Sequence, residues 1–364
     1  MRYGCTALNE VSFLNMDYTR KICVLTQEDL VRAGCFDVGF AIEACENALM
    51  QYADGRVIFP DKVAVVFDEV SQNRINCLPA GLKESMVYGM KWVSVFPGNP
   101  RNYGLPNLSA VLLLSELNTG FPIAFMEGTM CSNLRTAAVG AVAAKYLSRE
   151  DTQVIGFIGA GEQAKSHFLS LMHVRPDIKV CKVASRTEQT EAEFIRAMSR
   201  FYPSVEFISC KGCYEEAAKN AQIIVTAISG QERLLQAQWI TEGALYLHVG
   251  GLEDDYAVPR KASKIVCDDW SVVKHRTQTI SRMYKEGLLF DRDIYGDLYE
   301  IVSGRKQGRE NDREFIYFNS VGLSYVDVML ANCMYRRAKE KGLGSYVNMQ
   351  QSSMFDVDIC DVVL

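Results

Sequence analysis

The chain has 364 residues, enough for two domains, and its 48% hydrophobic and 23% charged residues are the balance of an ordinary globular protein. A net charge of −5 without a basic cluster argues against a nucleic-acid partner, and apolar runs such as 110–114 are too short to cross a bilayer. The start, Met1-Arg2-Tyr3-Gly4-Cys5, has no continuous apolar signal core, and the 12 cysteines follow no framework spacing, so a cytoplasmic protein with reduced thiols is expected.

Residues 1 to 20 show no period and are expected to form a loosely held arm. Thr26-Gln27-Glu28-Asp29-Leu30 reads as a capped helix start, and a second helix is expected over 37–53. The stretch 57–67 reads as one strand, followed by strands over 74–78 and 88–96. Residues 107–114 and 121–126 predict a hairpin across Asn118-Thr119-Gly120. This first part, 1–131, is therefore helix followed by a mostly antiparallel sheet, with no phosphate loop. Arg135 to Lys145 lies in a predicted helix, 132–147, whose small-residue face suits close packing where two domains join. Strands near 154, 180, 205, 223, 245 and 264 then alternate with helices, which predicts an α/β, Rossmann-type doubly wound parallel sheet over 132–322. A last strand, 315–319, leads into a segment, 323–345, whose helix over 325–341 is expected to fold back over the first domain. Residues 346–364 are expected to be a tail.

The most informative stretch is the apolar strand 154–158 running into Gly159-Ala160-Gly161-Glu162-Gln163-Ala164, a G-x-G-x-x-A loop. Gly159 permits the tight turn, Gly161 lets the backbone approach a pyrophosphate, and Ala164 keeps the next helix close to the sheet. The helix N-terminus then offers free N–H groups to phosphates. The next strand ends at Ser185-Arg186-Thr187, where an NAD-binding chain usually carries an acid for the ribose 2′-OH. An arginine between two hydroxyls suits a 2′-phosphate, so NADP is expected, with NAD as the other possibility.

Three charged groups stand where solvation is poor. Lys91 shares a strand face with Val93 and Val95, a costly place for an unpaired ammonium, and is a candidate substrate-binding group. Arg135, between Leu134 and an alanine run, can hold a carboxylate in its fork. Lys62 follows Pro60-Asp61 and is read either as an exposed strand charge or as a third cation for the substrate. After the strand near 245 comes Gly250-Gly251-Leu252-Glu253-Asp254-Asp255, at a carboxyl end where open α/β sheets bind ligands. One of these acids is a candidate acid/base group facing the nicotinamide, and the others cap the next helix. Cys210 to Cys213 forms a lone C-x-x-C without a second pair, and His167, His173, His248 and His275 show no ligand spacing, so no metal is expected.

Taken together, these motifs resemble the ornithine cyclodeaminase/mu-crystallin family over about residues 25 to 345. The resemblance rests on Leu78-Pro79-Ala80, Gly89-Met90-Lys91-Trp92, Asn99-Pro100, Gly120-Phe121-Pro122-Ile123-Ala124, Leu134-Arg135-Thr136-Ala137-Ala138 and the glycine loop from Gly156 to Ala164. Pro60-Asp61-Lys62, Ala143 to Leu147, Cys267-Asp268-Asp269-Trp270 and Gly344 to Asn348 are most similar to its 2,3-diaminopropionate-forming branch, the N-(2-amino-2-carboxyethyl)-glutamate dehydrogenases. The resemblance implies an α+β first domain that binds an amino acid and dimerises through its sheet. It places Lys91, Arg135 and Lys62 on the substrate carboxylate, Gly161, Glu162 and Gln163 in the phosphate loop, and Thr226 and Ser320 near the cofactor. The family's catalytic aspartate aligns with Glu253, with Asp254 as rival. Asp254-Asp255-Tyr256-Ala257 stands where ornithine cyclodeaminases have Cys-Pro-Gly-Lys, which counts against ornithine cyclisation. The implied activity is hydride transfer at the Cα–N bond of an amino acid or imine. Cyclodeaminase and ketimine-reductase chemistry are the alternatives, and a mu-crystallin-like NADPH-binding protein is an alternative of another class.

Overall fold

The computed structural model describes residues 19–68, 71–228 and 230–351. Its first sheet contains β1 (Arg20–Leu25), β2 (Val57–Ile58), β3 (Val63–Asp68), β4 (Asn73–Leu82), β5 (Val87–Val95), β6 (Leu108–Glu116) and β7 (Pro122–Glu127). The second contains β8 (Val154–Ile158), β9 (Val180–Ala184), β10 (Glu206–Ser209), β11 (Ile223–Thr226), β12 (Leu245–His248), β13 (Lys264–Cys267), β14 (Gly296–Asp297) and β15 (Ile316–Asn319). A last strand, β16 (Ser345–Gln350), returns to the first sheet.

The first sheet runs β16-β1-β7-β6-β5-β4-β2, with β3 also paired to β4; every pairing is antiparallel except β1 with β7. The second is wholly parallel in the order β10-β9-β8-β11-β12-β15-β13-β14. Its order reverses between β8 and β11, and a doubly wound sheet binds ligands in the crevice at such a switch point. The expected fold class is thus the observed one.

The elements differ from expectation in three places. The single strand expected over 57–67 is two, because Pro60 has no N–H for a ladder and the chain breaks at Pro60-Asp61-Lys62. The expected tail, 346–364, begins instead as β16, antiparallel to β1, and its remainder from 352 lies outside the described residues. The arm expected over 1–20 lies outside them too, up to residue 18; Arg20 already belongs to β1. Thr26 does cap its helix, Gln27–Ala33, in a reciprocal capping box with Asp29.

Helix Thr129–Leu147 joins the two sheets. Its buried Ala137, Ala138, Gly140, Ala141, Ala143 and Ala144 let neighbours approach closely. A Cβ on Gly140 would come within 2.9 Å of the His167 ring on helix Glu162–Val174. The C-terminal helix, Ser324–Glu340, packs on β4, β5 and helix Val38–Ala53. It covers one face of the first sheet. The other face shows Met90, Trp92, Val111, Leu113 and Phe125, none of them buried, with Trp92 45% and Phe125 40% exposed. Beside it the β3 hairpin exposes Val63, Val65, Val66 and Phe67. Apolar faces of this extent mark contact surfaces.

Candidate functional site

The glycine loop has the shape its residues demand. Gly159 sits at φ +103°, and a Cβ there would press to 2.4 Å from the Ala227 carbonyl oxygen. A Cβ on Gly161 would meet nothing within 4 Å, so the backbone is open to an approaching group. Gly161 N-caps helix Glu162–Val174 without a side-chain hydrogen bond, leaving the first amides available to phosphate oxygens. Gln163 Nε2 donates to Asn133 Oδ1 at 2.6 Å and ties this helix to helix Thr129–Leu147. Glu162 is exposed and pairs with Lys165. The cradle fits a dinucleotide pyrophosphate.

The tip of β9 is held from behind. Ser185 N, Lys211 N, Gly212 N and Ser209 Oγ all donate to the carboxylate of Glu191, at 2.5–2.9 Å. Burial opposes that charge, but Ser209 and the amides outweigh it and keep the carboxyl below its ordinary range. Ser185 Oγ donates to the Thr187 carbonyl, and the Thr187 side chain N-caps the next helix, so Arg186 is the exposed group of the three without such a structural task.

A cavity opens between the two sheets at the switch-point side. Val249, Gly250 and Gly251 after β12, Ser320 and Gly322 after β15, Arg135, and Arg74 on β4 are among its walls. Arg135 Nε donates to Asp327 Oδ1 at 2.7 Å, and Lys91 Nζ donates to the same oxygen at 2.7 Å and to Ser132 Oγ at 3.2 Å. Lys91 is 1% exposed and Asp327 fully buried. Burial and the Arg135 guanidinium pull the Lys91 ammonium down to about 8 against the attraction of Asp327. Arg135 is thereby anchored through Nε alone. Its two terminal nitrogens take no hydrogen bond among the described residues, and they lie where a Cβ on Gly322 would be, 2.3 and 2.7 Å away. Only glycine, here at φ +83°, leaves them room at the cavity.

Gly322 is itself held by a carboxylate. Asp268 Oδ2 accepts from the Val321 and Gly322 amides at 2.8 Å each and from Ser320 Oγ at 3.2 Å. Gly322 also borders a second, smaller cavity lined by Lys62, Leu78, His275, Arg276 and Ser324. Burial, then the charges of Arg276, Arg74 and Lys91, draw the Lys62 ammonium down to about 7.

Glu253 and Asp254 are fully buried, and neither lines either of these two cavities. The Glu253 carboxylate accepts from Thr226 Oγ1 at 2.6 Å, the Ile228 amide at 2.7 Å and the Gly250 amide at 2.9 Å. A Cβ on Gly250 would sit 2.3 Å from Glu253 Oε1, so this acid lies directly behind the cavity wall. Asp254 Oδ1 accepts from Thr279 at 2.6 Å and Tyr317 at 3.3 Å, with His248 Nε2 at 3.4 Å. Burial raises its carboxyl to about 6. Asp255 accepts the Ala257 amide at the start of the next helix. Thr226, expected beside the cofactor, is buried and turned to Glu253 and Tyr246, whereas Ser320 does line the cavity.

Asp327, Asn133 and Glu191 were not singled out in the sequence, and Asp268 only as part of a family motif without a role. Asp327 carried a usable signal: an acid among Tyr325, Val326 and Val328 is as costly to bury as the lysine it neutralises.

Comparison with known proteins follows the same lines. Residues 23–342 match the model of the ornithine cyclodeaminase/mu-crystallin family. An alanine dehydrogenase of Archaeoglobus fulgidus is 34% identical over 89% of this chain and 97% of its own. The N-((2S)-2-amino-2-carboxyethyl)-L-glutamate dehydrogenase of Staphylococcus aureus is 26% identical over 91% of this chain and 99% of its own. Among solved structures, the Thermococcus litoralis Delta(1)-pyrroline-2-carboxylate reductase in complex with NADH and L-proline superposes with a TM-score of 0.84 at 32% identity, covering 90% of this chain and 100% of that one.

The shared anion predicts a stability effect. Asp327→Asn strands two cations in the interior and lowers the unfolding free energy by about 3–5 kcal/mol. Urea denaturation measures it, and a loss below about 1 kcal/mol shows that water or rearrangement neutralises the pair.

Proposed function

The chain belongs to the ornithine cyclodeaminase/mu-crystallin family and is an NAD(P)-dependent oxidoreductase, and from that premise we propose that it acts at the Cα–N bond of an amino acid or its imine, in a step like that of the N-(2-amino-2-carboxyethyl)-glutamate dehydrogenases, toward 2,3-diaminopropionate. One observation carries this reading. The Arg135 fork, locked by Asp327 and cleared by Gly322, presents two unused donors to a cavity at the switch point. That is the geometry for one carboxylate held bidentately. Lys91, next to it, adds positive charge, and the NADH and L-proline bound by the Thermococcus reductase are a ligand pair of the same chemistry.

The nicotinamide cofactor, when bound, supplies or accepts the hydride. The chain's part is to fix the amino-acid carboxylate through Arg135 so that Cα faces that cofactor, and to handle the proton on nitrogen. Glu253 is assigned the proton role because its carboxylate lies against Gly250 of the cavity wall, whereas Asp254 is turned toward Thr279, Tyr317 and His248. Thr226 and the Gly250 amide then serve to orient that acid.

A kinetic comparison following absorbance at 340 nm tests the reading. Arg135→Lys keeps the charge but loses the fork, so KM for the amino acid rises strongly while cofactor affinity changes less. Glu253→Gln lowers kcat by roughly 10²–10⁴ with cofactor binding retained, and Asp254→Asn costs far less. Normal substrate binding by Arg135→Lys overturns the carboxylate assignment, and a dead Asp254→Asn beside an active Glu253→Gln transfers the proton role.

NADP is the proposed cofactor. Arg186 is exposed at the tip of β9, and the buried acid there, Glu191, is turned inward and occupied by four donors, so it leaves the arginine free for a 2′-phosphate. NADPH therefore binds more tightly than NADH, and Arg186→Ala removes about 1.5–3 kcal/mol of the difference in titrations of both. Equal affinities in the unmutated protein exclude the assignment.

The uncovered face of the first sheet, with Trp92, Phe125 and the β3 hairpin, is assigned to a second copy of the chain. Sedimentation equilibrium then gives twice the 40.8 kDa chain mass, and Trp92→Glu shifts it toward the monomer. A monomeric unmutated protein removes this assignment.

A further inference from the structure

Cys210 and Cys213, the C-x-x-C of the sequence, have no part in the chemistry described above. The structure puts them at the two ends of a tight turn. Cys213 N donates to the Cys210 carbonyl at 2.8 Å, and both central residues are left-handed, Lys211 at φ +50° and Gly212 at φ +76°. Positive φ at both central positions is the mark of a type I′ turn, whose ends lie within about 7 Å of each other. A disulfide spans Cα separations of about 4.4–6.8 Å, so the turn holds the two cysteines at bridging range. Both are free thiols. Cys213 is the one exposed cysteine among the described residues, and Cys210 is buried. An accessible thiol next to a sheltered one is the arrangement in which the first meets an oxidant and the second resolves it.

This turn also bears on the nucleotide end of the molecule. The amides of Lys211 and Gly212 donate to Glu191 at 2.9 Å each, and the same carboxylate accepts from Ser185 N at 2.8 Å. Ser185 immediately precedes Arg186 at the tip of β9. Cys210 N donates to the Val183 carbonyl at 2.8 Å, and a Cβ on Gly212 would lie 3.5 Å from the Ser185 carbonyl oxygen. The turn therefore packs against the strand end that carries the arginine. Lys211 has a side chain at positive φ, a conformation that persists only where the surroundings impose it. Here the two amides bound to Glu191 impose it.

We propose that Cys210 and Cys213 form a reversible disulfide by exchange with a low-molecular-weight disulfide such as glutathione disulfide, and that the bridge weakens NADPH binding by loosening the Arg186 tip. The Cys213 thiolate attacks one sulfur of the oxidant and expels the first glutathione thiolate. The Cys210 thiolate then attacks the Cys213 sulfur of the mixed disulfide and expels the second. The two thiols of the chain give up two electrons and two protons, and the oxidant leaves as two molecules of glutathione thiol. Joining the sulfurs draws the ends of the turn together and rotates its central peptides, whose N–H groups are the ones aimed at Glu191. Ser185 and Arg186 then lose the fixed position they have in the dithiol form. The coupling rests on the reading of Arg186 as the group for the 2′-phosphate.

Glutathione disulfide is the probe, applied to the full chain, with a reduced sample and Cys213→Ser carried in parallel. Trypsin cuts after Lys211, so the cysteines fall in separate peptides, 201–211 and 212–219, which only the bridge keeps joined. Mass spectrometry finds the joined pair in the oxidised protein, dithiothreitol separates it, and Cys213→Ser lacks it. NADPH titrations give an affinity about tenfold weaker in the oxidised chain, the worth of one charged hydrogen bond, while NADH binding changes less. Dithiothreitol restores the affinity. Cys213→Ser binds NADPH like the reduced protein with or without oxidant, which separates the bridge from oxidation of other thiols. Absence of the joined peptide, or glutathione retained on Cys213 in its place, overturns the pair. A joined peptide with unchanged NADPH affinity overturns the coupling alone. Equal affinities of the reduced protein for NADPH and NADH overturn the Arg186 reading and with it the coupling, while the joined peptide still decides the pair.

Discussion

One carboxylate oxygen organises the contact between the two halves of the molecule. Asp327 Oδ1 receives Lys91 from β5 and Arg135 from the helix that joins the sheets, and Asp327 itself rides on the C-terminal helix. Three elements distant in sequence are thus referred to a single point. Removing charges from water is costly, and the interior tolerates them because the attraction acts at 2.7 Å in a poorly screened site. The arginine has only one of its donor groups committed to this anchor. Its remaining donors are fixed in direction by an interaction that no ligand has to supply, which is what preorganisation of a binding group means physically.

The second organising device is the carboxylate that grips a loop from behind. Glu253 gathers the Ile228 and Gly250 amides, Asp268 gathers those of Val321 and Gly322, and Glu191 does the same for the loops after β9 and β10. All three sit at or near carboxyl ends of the parallel strands, where loops must be irregular in order to surround a ligand. Irregular backbone leaves amides without ladder partners, and a buried acid satisfies several of them at once. Rigid walls result from short loops that have almost no regular structure of their own.

Much of this was legible in the residues. The glycine loop, the alternation of strand and helix, and the small-residue helix each follow from local chemistry, and the structure has them where period and turn residues put them. Lys91 and Arg135 stood out because charge in an apolar run demands a partner. What stayed hidden depends on distance in sequence. Asp327 is 236 residues from Lys91, and nothing local connects them. Glu253, Asp254 and Asp255 could not be told apart, because a one-residue change at a strand end turns an acid toward a loop, toward Thr279 or toward a helix start. The strand over 345–350 was missed for a related reason: Ser345-Tyr346-Val347-Asn348-Met349-Gln350 has only weak alternation and gains its ladder from β1, at the far end of the chain.

That pairing bears on how the molecule is made. β1 lies between β7 and β16, and helix Ser324–Glu340 covers the same sheet, so this half is assembled from the two ends of the chain. The parallel sheet, from Val154 to Asn319, is one uninterrupted stretch between them. During synthesis the nucleotide-binding half can close as soon as residue 319 has emerged, while the other waits with an unfilled edge at β1 and an uncovered sheet face. Bringing β16 to β1 closes a loop of some hundreds of residues, and the entropy of that closure is lost before the ladder repays it. The Arg135 clamp comes into being only with this last docking, when Asp327 arrives.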